Sequence, residues 1–100
     1  MSAIEINSAG HFIVIGELSF GTVPGLDVRG RELIAASPQP VFDFTNVTFS
    51  DNAGVALLVS WARAAHHINK KIIFTDVSKQ LLDIINICGL GDILPLSNAR

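Results

Sequence analysis

Polar and apolar positions first alternate along the chain and then change period. Ile4 and Ile6 flank Glu5, the two-residue repeat of a strand. Ser8, Ala9 and Gly10 form a turn signal, and residues 11–15 are rich in β-branched side chains, so a hairpin is expected, ended by Gly16. Thr22 can cap a helix with Val23 at its first position and Pro24 next, where a missing N–H costs little. That helix is predicted to run to about Ala36 and to turn Leu26, Leu33 and Ile34 inward. Gly25 and Gly30 each weaken it by about 1 kcal/mol relative to alanine. The stretch Ser37, Pro38, Gln39, Pro40 stops it. Residues 41–45 read as a third strand and 71–75 as a fourth, with Val47, Thr48 and Phe49 ending a buried strand. Between them a helix is expected from about Asn52 to His67, followed by a turn at Asn69 and Lys70. Ser78 caps a last helix ending near Cys88, and Gly89 is placed as its left-handed stop. Residues 92–95 are the expected position of a short edge strand.

The order is therefore β-β-α-β-α-β-α, with a final strand possible. It predicts an α/β fold with a mixed sheet of four to five strands and about three helices. The leading hairpin is antiparallel, and the later strands are joined by right-handed crossovers.

The helix over 52–67 is unusual because it has no polar side in its first two turns. At about 100° per residue, Ala53, Ala56, Leu57, Ser60 and Ala64 share one face, while Val55, Leu58, Val59, Trp61 and Ala62 spread over the rest. Charge returns only at Arg63, and polarity at His66, His67 and Asn69. A helix apolar all round is covered on several sides or binds something. Either flanking helices supply the cover, or part of the N-terminal half lies in a protein interface. In the last helix Leu81, Leu82, Ile84, Ile85 and Ile87 also spread beyond one stripe.

Composition bears on that choice. The 100 residues are 49% hydrophobic and 16% charged, against a usual charged share of about 25%, so apolar side chains are left over for a binding face. The length suits a single domain over 1–100. A formal charge of −2 offers no basic excess for nucleic acid. The first residues lack the charged and apolar regions of a signal peptide, and no stretch reaches the about 20 apolar residues of a membrane span. Cys88 alone cannot form an internal disulfide. A cytoplasmic protein is expected.

Little points to catalysis or to a metal. His66 and His67 are adjacent, so on a helix they diverge by about 100° and do not meet one ion. Cys88, on an apolar helix, is expected in the core. Asp43 lacks the paired acidic residues of a phosphoacceptor site. "GLGD" follows a helix rather than preceding one, the wrong context for a nucleotide loop. No cofactor is implied. Trp61 reads either as packing or as an interface anchor.

"VFDFTNVTFSDNAGVALLV" resembles the signature of the STAS domain, the fold of anti-sigma-factor antagonists. The family pattern is an apolar strand, a short turn, then Asp-Ser-[Ser/Ala/Gly]-Gly and an aliphatic helix. Here those positions hold Asp51, Asn52, Ala53 and Gly54. "VIGELSFGTVPGL" and "KKIIFTDVSKQLLDIINICGLGDILPL" resemble the flanking parts, and the likeness spans about residues 12–96. "GVALLVSWARAA" and "TVPGL" look most like the MlaB branch, the small STAS subunits of phospholipid-trafficking ABC transporters that maintain outer-membrane lipid asymmetry. The resemblance implies a non-enzymatic cytoplasmic subunit, peripheral to the inner membrane through its partner. That partner is the ABC ATPase subunit (MlaF-like), and the permease is reached only indirectly.

On this reading the turn and the following helix pack on the ATPase. The expected contacts are Asp51, Asn52, Ala53, Val55 and Leu58, with Leu26 added if the first helix lies alongside. Self-association through the same apolar surface is also possible. Antagonist members of the family carry a phosphorylatable Ser or Thr after the motif's Asp, and phosphate there blocks the partner. Asn52 has no hydroxyl and cannot accept one. Asn52 and Asp51 are also both good helix caps, and Gly54 is expected to allow close backbone approach. The alternative is an anti-sigma-factor antagonist that binds an anti-sigma kinase without the phospho-switch.

Overall fold

The computed structural model describes residues 2–97. Along them run β1 (Ala3–Ile6), β2 (Phe12–Leu18), α1 (Val23–Ala36), β3 (Val41–Ser50), α2 (Asn52–His67), β4 (Ile73–Thr75), α3 (Lys79–Ile87) and β5 (Leu96–Ser97). The strands lie side by side in chain order, β1 antiparallel to β2 and all later neighbours parallel. Crossovers of one hand between successive neighbours put all three helices on one face of the sheet. In that layer α2 is central, with α1 and α3 packed against its two sides.

The hairpin turns where Asn7 Oδ1 accepts the backbone N–H groups of Ala9 and His11, both at 2.9 Å, with Gly10 at φ 82°. β2 does not stop at Gly16. That glycine stays in the strand at φ 99°, between two register shifts against β3. Ile13 faces Asp43 but Ile15 faces Asn46, and Gly16 faces Val47 but Glu17 faces Phe49. Each shift gives β3 one extra residue, and an extra residue reverses which side chains point inward. Phe42 and Phe44 face the core; between the two shifts the alternation is reversed, so Val47 turns partly inward and Thr48 outward, and the second shift restores it, leaving Phe49 outward and Ser50 inward. Phe49 thus does not end a buried strand.

Thr22 flanks α1 without capping it by its side chain. Its hydroxyl instead donates to Glu17 O at 2.7 Å and accepts from Ser19 N at 3.0 Å, fastening the loop that leaves β2. Leu26, Leu33 and Ile34 face inward as the period requires. Lys70 Nζ donates to the carbonyls of Ile34 and Ala35 at 2.9 and 2.7 Å, satisfying the end of a helix that has no basic residue in its own last turn. Ser78 Oγ accepts from Leu81 N at 3.2 Å to start α3, and Gly89 stops it at φ 74°. Cys88 is exposed rather than in the core: it continues the stripe of Leu81 and Ile85, but as the C-cap of α3 it stands at the open end of the helix, past the elements that cover those two. The edge strand forms at Leu96–Ser97 rather than over 92–95, since Ile93 and Leu94 are still bonded back to Leu90 in a turn.

Trp61 lies at the centre of the core, fully buried and stacked on Phe42 at 4.4 Å between ring centres. Phe44 and Phe74 meet edge to face beside it. A β-carbon on Gly30 would overlap the Trp61 indole, so α1 and α2 approach this closely only through that glycine. The all-round apolar character of α2 follows from its place, with the sheet beneath it and a helix on either side.

Candidate functional site

The ends of β2 and β3 meet the start of α2. Leu18 pairs with Ser50, and Asp51 N donates to Leu18 O at 3.1 Å. Asp51 then leaves the strand with extended backbone, and its Oδ1 accepts the Ala53 N–H at 2.8 Å. Its carbonyl also accepts from Gly54 N at 2.9 Å. Asp51, not Asn52, is thus the N-cap. The extended backbone lets the Asp51 carboxylate fold over the first helical N–H groups, where negative charge is also favoured by the helix dipole. Asn52 is the first helical residue, and its side chain stands in solvent. Ser50 N donates to Gln80 Oε1 at 3.1 Å, which ties the turn to α3. Gly54 serves its own fold: a β-carbon there would lie 3.3 Å from Leu18 Cβ and 3.4 Å from Leu81 Cδ1.

The residues expected to touch a partner separate into two groups. Asn52 is exposed and Asp51 half-buried. Ala53, Val55, Leu58 and Leu26 are buried, Leu58 completely, and they pack the domain's own core. This corrects their placement on an exposed flank: the sheet, α1 and α3 already cover them. The outward line of α2 is instead Asn52, Ala56, Val59 and Arg63, spaced four, three and four residues apart. Two aromatic residues join the same end of the molecule. Phe20, in the loop leaving β2, is 80% exposed, and Phe49, two residues before the Asp51 cap, is 43% exposed. Neither was singled out as a contact from the sequence. The spacing of Asn52 and Arg63 is a signal for the outward line, and Phe49 falls on the outward face of β3 by its alternation with Phe42 and Phe44.

Asp43, the carboxylate nearest in sequence on β3, is engaged by Thr45 N at 2.8 Å and Thr45 Oγ1 at 2.6 Å. Among the described residues no group of three His, Cys, Asp or Glu is placed to hold a metal ion. Among them, too, no helix is long and apolar enough to cross a membrane.

A sequence model of the family described as "Mlab, STAS domain" matches residues 7–95. No curated protein is significantly similar to the chain in sequence. Solved structures match over nearly its full length. The unphosphorylated anti-sigma factor antagonist SpoIIAA superposes with a TM-score of 0.70 at 17% identity, over 100% of this chain and 90% of that one. An anti-sigma factor antagonist from Mycobacterium paratuberculosis gives 0.72 at 22% identity, over 99% and 86%. A putative antagonist from Thermotoga maritima gives 0.77 at 10% identity, over 99% and 87%. The five-stranded mixed sheet with three helices is the fold that these proteins share.

Proposed function

The chain belongs to the STAS-domain family, and on that premise we propose that it is a non-enzymatic binding subunit for the ATPase of a phospholipid-trafficking ABC transporter. The observation that carries this reading is the β3–α2 turn. Asp51 caps it, Asn52 projects from it, and the exposed rings of Phe20 and Phe49 stand at the same end of the sheet. A neutral amide where relatives carry a phosphorylatable hydroxyl suits a permanent subunit better than a phosphate-switched one. The description of the matching family, Mlab, supports the transporter branch. In this reading the turn and the Asn52–Ala56–Val59 line pack on the ATPase, and the protein acts by binding one state of it more tightly than another.

Asn52→Arg is expected to weaken binding to the purified ATPase subunit by at least tenfold, about 1.4 kcal/mol, with an unchanged circular dichroism spectrum. Unchanged affinity in a titration sinks this placement.

The second reading is an anti-sigma-factor antagonist, favoured by the likeness in fold to solved anti-sigma factor antagonists. An affinity pull-down from detergent-solubilised cells, read by mass spectrometry, separates the two. Recovery of an ABC ATPase with its permease supports the first. Recovery of an anti-sigma kinase without an ATPase supports the second, with Asn52 marking an antagonist that phosphate does not switch off.

A further inference from the structure

The opposite end of α2 carries a cleft of about 690 Å³ between the helix, the approach to β4 and the segment joining α3 to β5. Its size falls within the roughly 300–1,000 Å³ of small-molecule sites. The floor is apolar: Val59, Ala62, Leu90, Leu94 and Pro95. The rim is basic: Arg63, His66, His67 and Lys71, with Lys70 behind them. No carboxylate lines it. The sequence between Asp51 and Asp76 contains no acidic residue at all, in a chain whose overall charge is −2. Lys70 is committed to the end of α1, but among the described residues Arg63 and Lys71 enter no ion pair. Ile93 remains 71% exposed at the lip. Arg63 lies eleven residues beyond Asn52, about 16 Å along the helix, so the cleft is separate from the turn.

An apolar floor beside cations without counter-charges calls for a ligand with the complementary two halves. We propose that the cleft binds a single-chain anionic amphiphile, an aliphatic phosphate monoester or carboxylate. The chain lies along Val59, Leu90, Ile93 and Leu94, and the head accepts hydrogen bonds from Arg63 and Lys71, with the imidazoles at the rim. A nucleotide fits less well, since Gln39 is the one uncharged amide side chain in the lining for a base to pair with. A bilayer surface fits less well because the feature is concave.

The test is isothermal titration of the whole chain with dodecyl phosphate below its micelle concentration. Saturable one-to-one binding is expected. Octyl phosphate should bind at least tenfold more weakly, since each buried methylene is worth about fourfold. Arg63→Glu with Lys71→Glu should also cost at least about tenfold, the loss of a charge-assisted hydrogen bond. Ile93→Asp, at an exposed position that leaves the core intact, should weaken the chain's share, and Asn52→Arg should change nothing. Equal affinity for inorganic phosphate overturns the proposal, because the apolar floor then contributes nothing. Equal affinity for dodecyltrimethylammonium overturns it as well, because the basic rim is then idle. Flotation with vesicles of phosphatidylcholine and phosphatidylglycerol, without binding of monomeric dodecyl phosphate, reassigns the site to a membrane surface and also overturns it.

Discussion

Asp51 and Asn52 are neighbours with similar side chains and opposite surroundings. Three contacts hold Asp51, through its own N–H, its carbonyl and its carboxylate, while the Asn52 side chain is left to solvent. Both residues rank as good caps from sequence, and only the extended backbone at Asp51 decides between them. Asp51→Ala is expected to lower stability by about 1 kcal/mol, the usual worth of such a cap. Asp51→Asn should retain most of it, since an amide oxygen can accept the same Ala53 N–H. Urea titrations of the three proteins measure both differences.

At the scale of the element, α1 and α2 form one seam. Trp61 Nε1 donates to Asp27 O at 3.4 Å, Ser60 Oγ to Asp27 Oδ1 at 2.9 Å, and Arg31 Nη2 to Ser60 Oγ at 2.8 Å. The two glycines of α1 meet this seam differently, which gives a sharp prediction. A β-carbon on Gly25 meets open space, so Gly25→Ala should add up to about 1 kcal/mol of helix propensity. On Gly30 the same change drives a methyl into the Trp61 indole, and overpacking of about 1–3 kcal/mol outweighs the propensity gain. Urea unfolding followed by the fluorescence of Trp61 should show opposite signs for one substitution on one helix. From sequence both glycines look like equal weak points, because nothing local tells which one faces a tryptophan on another element.

Over the whole molecule α2 links two surfaces of different chemistry. Its start presents Asn52 near exposed aromatic rings, and its last two turns present Arg63 and two histidines beside an apolar cleft. Val59 borders both surfaces, but Asn52 and Arg63 lie about 16 Å apart along the helix and share no contact, so substitutions at the two should act independently. Combining Asn52→Arg with Arg63→Glu and Lys71→Glu is therefore expected to lose ATPase binding and amphiphile binding each by the amount seen in the separate variants. Titrating each ligand against all the variants checks this.

By itself the sequence determined the order of the elements, the Ser78 cap, the left-handed stop at Gly89 and the Asp51–Gly54 turn. These rest on periodicity and on bonds between residues a few positions apart, so they can be read locally. Only the tertiary structure decided which apolar residues are core and which are surface. Leu58, Val55 and Trp61 went inward because α1 and α3 close both sides of α2. Thr48 went outward, off the alternation that buries Phe42 and Phe44, because of an extra residue in β3, and Phe20 because its loop leaves the sheet. Burial is settled by partners distant along the chain, and the hydrophobicity of a residue does not say which partner will reach it.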